Sequence, residues 1–308
     1  MLFYTKILKK PNKILVIIQR SNGDVFLSSN LICNLFEHYD SPIIDLLVND
    51  DTFQLAKLLP HINNIHKFSY KKKKDSRWNQ EISLIRRIYR KYDLSINLTA
   101  SDRSIFYALF ASKRSISAIE KNHHKSWWKK ILLTNYYYFD IDRHILLNNS
   151  EPLNLLKLQH NNIQRSINIS QDVILSIQSR LRNLGISNYF IFHPSAQYKY
   201  KIYPRKNRDL LLNSLNELGV PILITGSNNL IDSEIKEEIP KLPNIYNFIG
   251  KTSLEEYFAL SKLSLAYIGM DTLNMHIAAS QNKRIFAIFG PTNVNMWSPW
   301  SNFLQKAT

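Results

Sequence analysis

The chain of 308 residues has one cysteine, seven glycines and no long apolar run, and it is short of acid: 24 Asp and Glu stand against 40 Lys and Arg. Each scarcity excludes something. A single cysteine, Cys33, leaves no internal disulfide and no cysteine-based metal site, and its place in the apolar helical stretch NLICNLFEHY makes it a structural thiol rather than a nucleophile. No apolar run approaches the roughly 20 residues that span a bilayer. The N-terminal MLFYTKILKKPNK lacks an apolar signal-peptide core and a small-residue cleavage site, so a cytoplasmic location is expected. With 44% hydrophobic and 21% charged residues, the composition is that of a soluble globular protein, long enough for two domains that each bury a core.

Glycine is so rare that its position carries information. Gly23, in RSNGDVFLSS, is the only glycine in the first 184 residues. It follows KILVII (13–18), which reads as a short buried strand, and precedes a stretch of helical apolar spacing. SNGD is therefore expected to be a strand-to-helix turn, where glycine permits positive φ or a close approach of backbone to another group. In an open α/β sheet such a turn lies at the carboxyl edge, where ligands bind. Two roles stand open for Asp24: a helix cap, or a carboxylate directed into a crevice.

What is abundant is positive charge, and it is uneven. Residues 1–150 hold 24 basic against 13 acidic side chains, and the remainder 16 against 11. The runs KKKKDSR (71–77), RRIYRKY (86–92) and KNHHKSWWKK (121–130) all lie in the first half. Nucleic acid, an anionic membrane surface or a phosphorylated substrate would each suit them. Trp127 and Trp128 beside lysines favour a membrane interface, where indoles sit at head-group depth.

Apolar runs alternate with helical patterns in both halves, which indicates mainly parallel sheets. In the first half the expected strands are KILVII, SPIIDLLV (41–48), NIHKFSY (64–70) and LSINLT (94–99), with helices over 30–39, 52–59 and 77–92. After a helical, asparagine-rich middle come NYFIFHPS (188–195), VPILITGS (220–227), NIYNFIG (244–250), LSLAYIG (263–269) and KRIFAIFG (283–290). Several of these end in Gly or Ser, placing permissive backbone where a nucleotide's phosphates would bind.

The most specific stretch is YIGMDTLNMHIAASQNKRIFAIFGPTNVNMWSPW, residues 267–300. A strand, the turn MDT and a helix opening with LNMH place free N–H groups toward an anion. Asp271 can cap that helix or accept ribose hydroxyls, Thr272 can donate to a phosphate, and His276 lies one turn in. A second strand ends in FGPT at the same edge. At this spacing the stretch resembles the G-x-D-(S/T)-x-x-x-H-x-A-A … F-G-P-T … W-x-P pattern of glycosyltransferase family 9, the heptosyltransferases of lipopolysaccharide core assembly. RSNGD, INLTASDRS (96–104), FHPSAQYKYKIYP (192–204) and KTSLEEYFALS (251–261) are similar to further segments of that family, so the resemblance covers nearly the whole chain.

The resemblance implies an α/β chain of the GT-B class, with two Rossmann-like domains facing across a cleft. An acceptor-binding domain over 1–160 would precede a donor-binding domain over 161–308. Asp24 matches the catalytic base. Gly23 and Arg103 would meet the acceptor. Lys201 matches the lysine that neutralises the departing diphosphate, with Lys199 as its rival if the loop is registered differently. Ser195, Gly226, Ser227, Thr252, Asp271, Thr272, Leu273 and His276 would line the nucleotide-sugar site, with Thr252 beside the adenine. Leu273 stands where a small residue often follows the D-(S/T) pair, and Ala196 where a second hydroxyl is common.

No cofactor and no metal are expected. The D-x-D of FDIDRH (139–144) resembles a cation site of another transferase architecture, but no glycine-rich donor half follows it as that architecture needs. His123 and His124 are adjacent and share no helical face. The expected function is inverting, metal-independent transfer of a heptose from ADP-heptose to the phosphorylated lipopolysaccharide inner core, by an enzyme peripheral to the inner membrane. The alternatives are another nucleotide sugar, such as UDP-N-acetylhexosamine, or a non-catalytic protein that binds a nucleotide sugar or anionic lipid. Nucleic acid is not an expected partner, because it would explain the charge and leave the strand-turn-helix sites unexplained.

Overall fold

The computed structural model describes residues 10–71, 73–121, 126–161, 163 and 165–300. They form two compact units, Met1–Ile141 with Leu146–Asn162, and Asp142–Ile145 with Ile163–Thr308.

The first unit is built on six parallel strands: β1 (Lys13–Ile18), β2 (Ile43–Asn49), β3 (Ile62–Phe68), β4 (Leu94–Asn97), β5 (Ser115–Glu120) and β6 (Asn135–Phe139). Their order is β3-β2-β1-β4-β5-β6. Ile14 to Ile18 are wholly buried, as an uninterrupted apolar run in a two-sided parallel sheet should be. Leu15, Ile17, Leu47 and Phe68 pack against Leu84 and Ile88 of the helix Lys74–Ile88 and against Tyr107, Ala108 and Ala111 of the helix Asp102–Ala111. The strand order reverses between β1 and β4, the switch point beside which a doubly wound sheet leaves its crevice.

The second unit has five parallel strands, β7 (Phe190–His193), β8 (Ile222–Ile224), β9 (Ile245–Asn247), β10 (Ala266–Met270) and β11 (Arg284–Ile288). The order is β11-β10-β7-β8-β9, with its own reversal between β7 and β10. Adjacent residues serve opposite layers. Ile191 packs with Ile177, Leu181 and Met275, whereas Phe192 packs with Leu212, Ile224 and Ile235.

Nine of these strands coincide with apolar runs named from the sequence. β5 and β6 do not. The run of β5 is broken by polar side chains: SISAIE buries Ser115 and Ser117, and the Ser117 hydroxyl is satisfied by the Asn97 amide at 2.8 Å. NYYYF is an edge strand rich in tyrosine, with only Tyr137 buried. The helix expected over 52–59 shrinks to a 3₁₀ turn, Asp50–Thr52, and one helical turn, Phe53–Ala56. The helix expected to reach residue 92 ends at Ile88, and two residues on Arg90 takes a left-handed φ of 52°.

Candidate active site

At the carboxyl edge of β1 the chain enters a helix at once. Ser21 is the N-cap of the helix Asn22–Leu27, so Gly23 lies inside its first turn. Of the two uses open to glycine there, positive φ is not taken; Gly185, Gly219, Gly250 and Gly269 carry it instead. Asp24 is the third helical residue and 3% exposed. One carboxylate oxygen, Oδ2, accepts from the Ser21 hydroxyl at 2.6 Å and from its N–H at 3.3 Å, the reciprocal box that satisfies a helix start. The other, Oδ1, lies 2.7 Å from Arg20 Nε but accepts no hydrogen bond among the described residues, so the pair attracts by charge without the N–H aligned on the oxygen. Arg20 also lies 5.0 Å over the Phe139 ring. Asp24 thus caps its helix with one oxygen and faces Arg20 with the other.

Two further polar groups stand at this edge. Among the described residues both amide atoms of Gln19 are buried without a hydrogen-bond partner, as is Oδ1 of Asn49 at the end of β2. The Gln19 N–H donates to Thr99 Oγ1 at 3.0 Å and so ties the ends of β1 and β4 together. A polar residue directly after the apolar run of β1 was the sequence signal for Gln19, and the sequence reading passed over it. Arg103, beside the N-cap of the helix after β4, is held between Glu81 (3.2 Å) and the faces of Phe68 and Tyr70. These contacts fix its guanidinium on the packing of two helices.

In the second unit, β10 runs into the N-terminus of the helix Leu273–Ser280, and Thr272 is its N-cap. Among the described residues no side chain caps that helix. Asp271 Oδ1 and Thr272 Oγ1 are instead buried without a hydrogen-bond partner among those residues, and so is Thr292 Oγ1 after β11. The capping role open to Asp271 is therefore not taken. Gly269 pairs with His193 across β10 and β7 at φ +151°, and the His193 carbonyl occupies the space that a Cβ would need. Only glycine permits this approach. Leu273, half-buried, opens the helix, and His276 one turn on is 3% exposed, its ring 6.4 Å from Trp297. Burial, with His144 adding a second imidazole nearby, pushes the His276 pKa down to about 3, so it is a neutral packing group at ordinary pH.

The other strand ends close the set. Ser195 is buried just after β7. His193 Nδ1 lies 2.9 Å from the Thr225 carbonyl and 3.0 Å from Asn274 Nδ2, and burial lowers its pKa despite Asp232. This imidazole also went unremarked in the sequence. After β8, Ser227 directs its N–H (2.6 Å) and hydroxyl (2.7 Å) to Asp232, so it braces the turn, while Gly226 lets Asp232 and Ile249 come close. Gly250, at φ +69°, makes room for the Asn228 side chain. Thr252 is half-buried just before the helix N-cap Ser253. In the 3₁₀ turn Lys199–Lys201 the two lysines differ. Lys199 Nζ contacts both Glu234 oxygens at 2.8 Å, whereas Lys201 makes no ion pair among the described residues and its backbone lies against Gly290.

The comparisons with known proteins bear on this arrangement. The model of glycosyltransferase family 9 (heptosyltransferase) matches residues 82–306. The chain belongs to glycosyltransferase family 9. This family member is an enzyme that transfers a glycosyl group, built on the GT-B fold. It is 25% identical over 290 residues to lipopolysaccharide heptosyltransferase 3 of Escherichia coli, across 92% of this chain and 85% of the relative. Among solved structures it is similar to a glycosyl transferase family 9 protein from Veillonella parvula, with TM-score 0.78 and 19% identity over 94% of this chain and 83% of the other. It is similar also to E. coli ADP-heptose lps heptosyltransferase II, with TM-score 0.76 and 20% identity over 94% and 88%.

Among the described residues no group of three or more His, Cys, Asp or Glu side chains could hold a metal ion, and Asp140 and Asp142 of the D-x-D belong to different units. His123 and His124 lie outside the described residues.

Proposed function

We propose that this family 9 transferase moves a heptose from ADP-heptose onto the phosphorylated inner core of lipopolysaccharide, with inversion, without a metal, and at a membrane surface. The observation that carries the reading is the set of polar atoms at the strand ends with no hydrogen-bond partner among the described residues: Asp24 Oδ1, which faces only the Arg20 charge, in the first unit, and Asp271 Oδ1, Thr272 Oγ1 and Thr292 Oγ1 in the second. Leaving one such atom buried and unsatisfied costs about 1–3 kcal/mol, and a cluster of them at ligand-binding edges is what a hydroxyl-rich phosphorylated substrate would satisfy. The first unit takes the acceptor and the second the nucleotide sugar.

In this scheme Asp24 accepts the proton of an acceptor hydroxyl as its oxygen attacks the anomeric carbon. The new C–O bond forms on the face opposite the nucleotide, and the bond to the diphosphate breaks with its electron pair leaving on the phosphate oxygen. Lys201 and the helix N-terminus behind Thr272 meet that charge, a fixed positive field where negative charge develops. The E. coli relatives named above support heptose as the sugar and lipopolysaccharide as the acceptor.

Product analysis by mass spectrometry tests the reading, with ADP-heptose and UDP-N-acetylglucosamine as donors and a panel of truncated lipopolysaccharides as acceptors. A mass gain of one heptose from ADP-heptose alone, unaffected by EDTA, is expected. Transfer only from the other donor, or activity abolished by EDTA and restored by Mn²⁺, would overturn it.

A further inference from the structure

Three helices, Lys74–Ile88, Asp102–Ala111 and Trp127–Leu132, lie on the first unit, and the last two, with Tyr89 just beyond the first, expose large apolar side chains. Tyr89, Phe106, Phe110, Trp127, Ile131 and Leu132 are all exposed, Trp127 to 65% and Ile131 to 70%. Tyr89, Phe106, Phe110 and Leu132 are one patch rather than scattered side chains, and Trp127 and Ile131 lie on the adjoining face of the helix that carries Leu132. Phe110 stands 6.4 Å from Tyr89 and 6.5 Å from Phe106, which stacks on Trp128 at 5.0 Å. Leu132 joins Phe106 and Phe110 in the wall of a groove of about 380 Å³. Trp127 and Ile131 are four residues apart on one short helix and share its face. A contiguous exposed patch of this kind marks an interaction site.

The charges around the patch select the partner. Arg90 and Lys113 line the apolar groove, and Lys130, on the same helix as Leu132, lies 5.4 Å over Tyr138. A second groove, of about 490 Å³, is lined by Arg86, Arg87 and Lys91, which flank Arg90 in the chain. Neither groove contains an acidic residue. Aliphatic Ile131 and Leu132 have nothing to stack on in a nucleic acid, and protein interfaces are depleted in lysine, which Lys113 and Lys130 supply here. Aromatic and aliphatic side chains ringed by cations match a bilayer, with the apolar tips at acyl depth and the cations on the phosphates.

We infer that this three-helix face is the membrane-docking surface of the enzyme, seating Trp127, Ile131 and Leu132 among the acyl chains and Arg86, Arg90, Lys113 and Lys130 on anionic head groups. The inference rests on the reading above only in supplying a reason for docking, a lipid-borne acceptor; the binding itself is measured without turnover.

Flotation with vesicles of phosphatidylethanolamine and phosphatidylglycerol, and with pure phosphatidylcholine, tests it. Wild type should float with the anionic vesicles and be released by salt. Trp127→Ser with Ile131→Ser, and separately Lys113→Glu with Lys130→Glu, should each lower the bound-to-free ratio by about tenfold or more, with circular dichroism and ADP binding unchanged. Four outcomes would overturn the inference: wild type left unbound by anionic vesicles, equal binding to phosphatidylcholine, folded variants that float like wild type, or a wild-type dimer in sedimentation velocity that Trp127→Ser with Ile131→Ser dissolves. Failure of heptose transfer with flotation intact would instead count against the substrate assignment alone.

Discussion

Arg20 and Asp24 form a 2.7 Å ion pair across the first helical turn after β1, and the carboxylate oxygen facing the arginine is the one that no hydrogen bond occupies. The division of labour within one side chain has a direct consequence. Asp24→Asn keeps an acceptor for the Ser21 N–H and hydroxyl, so the helix start survives. As the proton acceptor is lost, kcat should fall by about 10² or more while donor affinity stays within a few-fold. Steady-state kinetics with isothermal titration of ADP checks this; near-normal turnover would return Asp24 to capping alone.

The two lysines of the YKYK loop should separate cleanly. Lys199 is exposed and paired with Glu234, an interaction worth little in water. Lys199→Ala should therefore change kcat/KM by less than about threefold. Lys201→Ala removes the unpaired cation and should lower kcat/KM by about 10² or more. Equal effects from both, or a larger one from Lys199, would reassign the role.

Gly269 has no tolerated substitute. Gly269→Ala would put a methyl group into the His193 carbonyl at a φ that side chains avoid, a combination of backbone strain and overpacking of about 2–4 kcal/mol. A clear drop in the melting temperature by calorimetry is expected, with loss of nucleotide binding, because the same turn presents Asp271 and Thr272.

Stability should fall on mild acidification, with a defined sign. The His276 pKa is about 3 in the folded protein and near 6.5 in the unfolded chain, so between those values the unfolded state binds the extra proton. Its contribution is fully present above about pH 6.5 and is lost as pH falls toward 3, at up to about 1.4 kcal/mol per pH unit. His193 and His144, lowered by burial too, act in the same direction. His276→Gln should flatten the dependence of melting temperature on pH between 6.5 and 5, whatever its effect on the temperature itself. An unchanged slope would mean that His276 is already charged in the native state.

Much of this protein is decided locally. The apolar run KILVII reads as a buried strand, alternation of such runs with amphipathic helices points to parallel sheets, and the residue types in YIGMDTLNMH place an acid, a hydroxyl and a helix N-terminus at one turn. Other features depended on neighbours distant in the chain. β5 was invisible because its serines become acceptable in a core only when Asn97 arrives from β4 to bond one of them. Gly23 was expected to allow positive φ or a close backbone approach, yet the first is not used, because Ser21 and Asp24 bond across a helix that already starts at Asn22. Which of two lysines keeps its charge free was settled by Glu234, more than thirty residues away. Periodicity and turn chemistry act within a few residues, and so they can be read along the chain. The pairing of a charge or the satisfaction of a buried polar group depends on whatever side chain folding brings beside it, and only the tertiary structure supplies that partner.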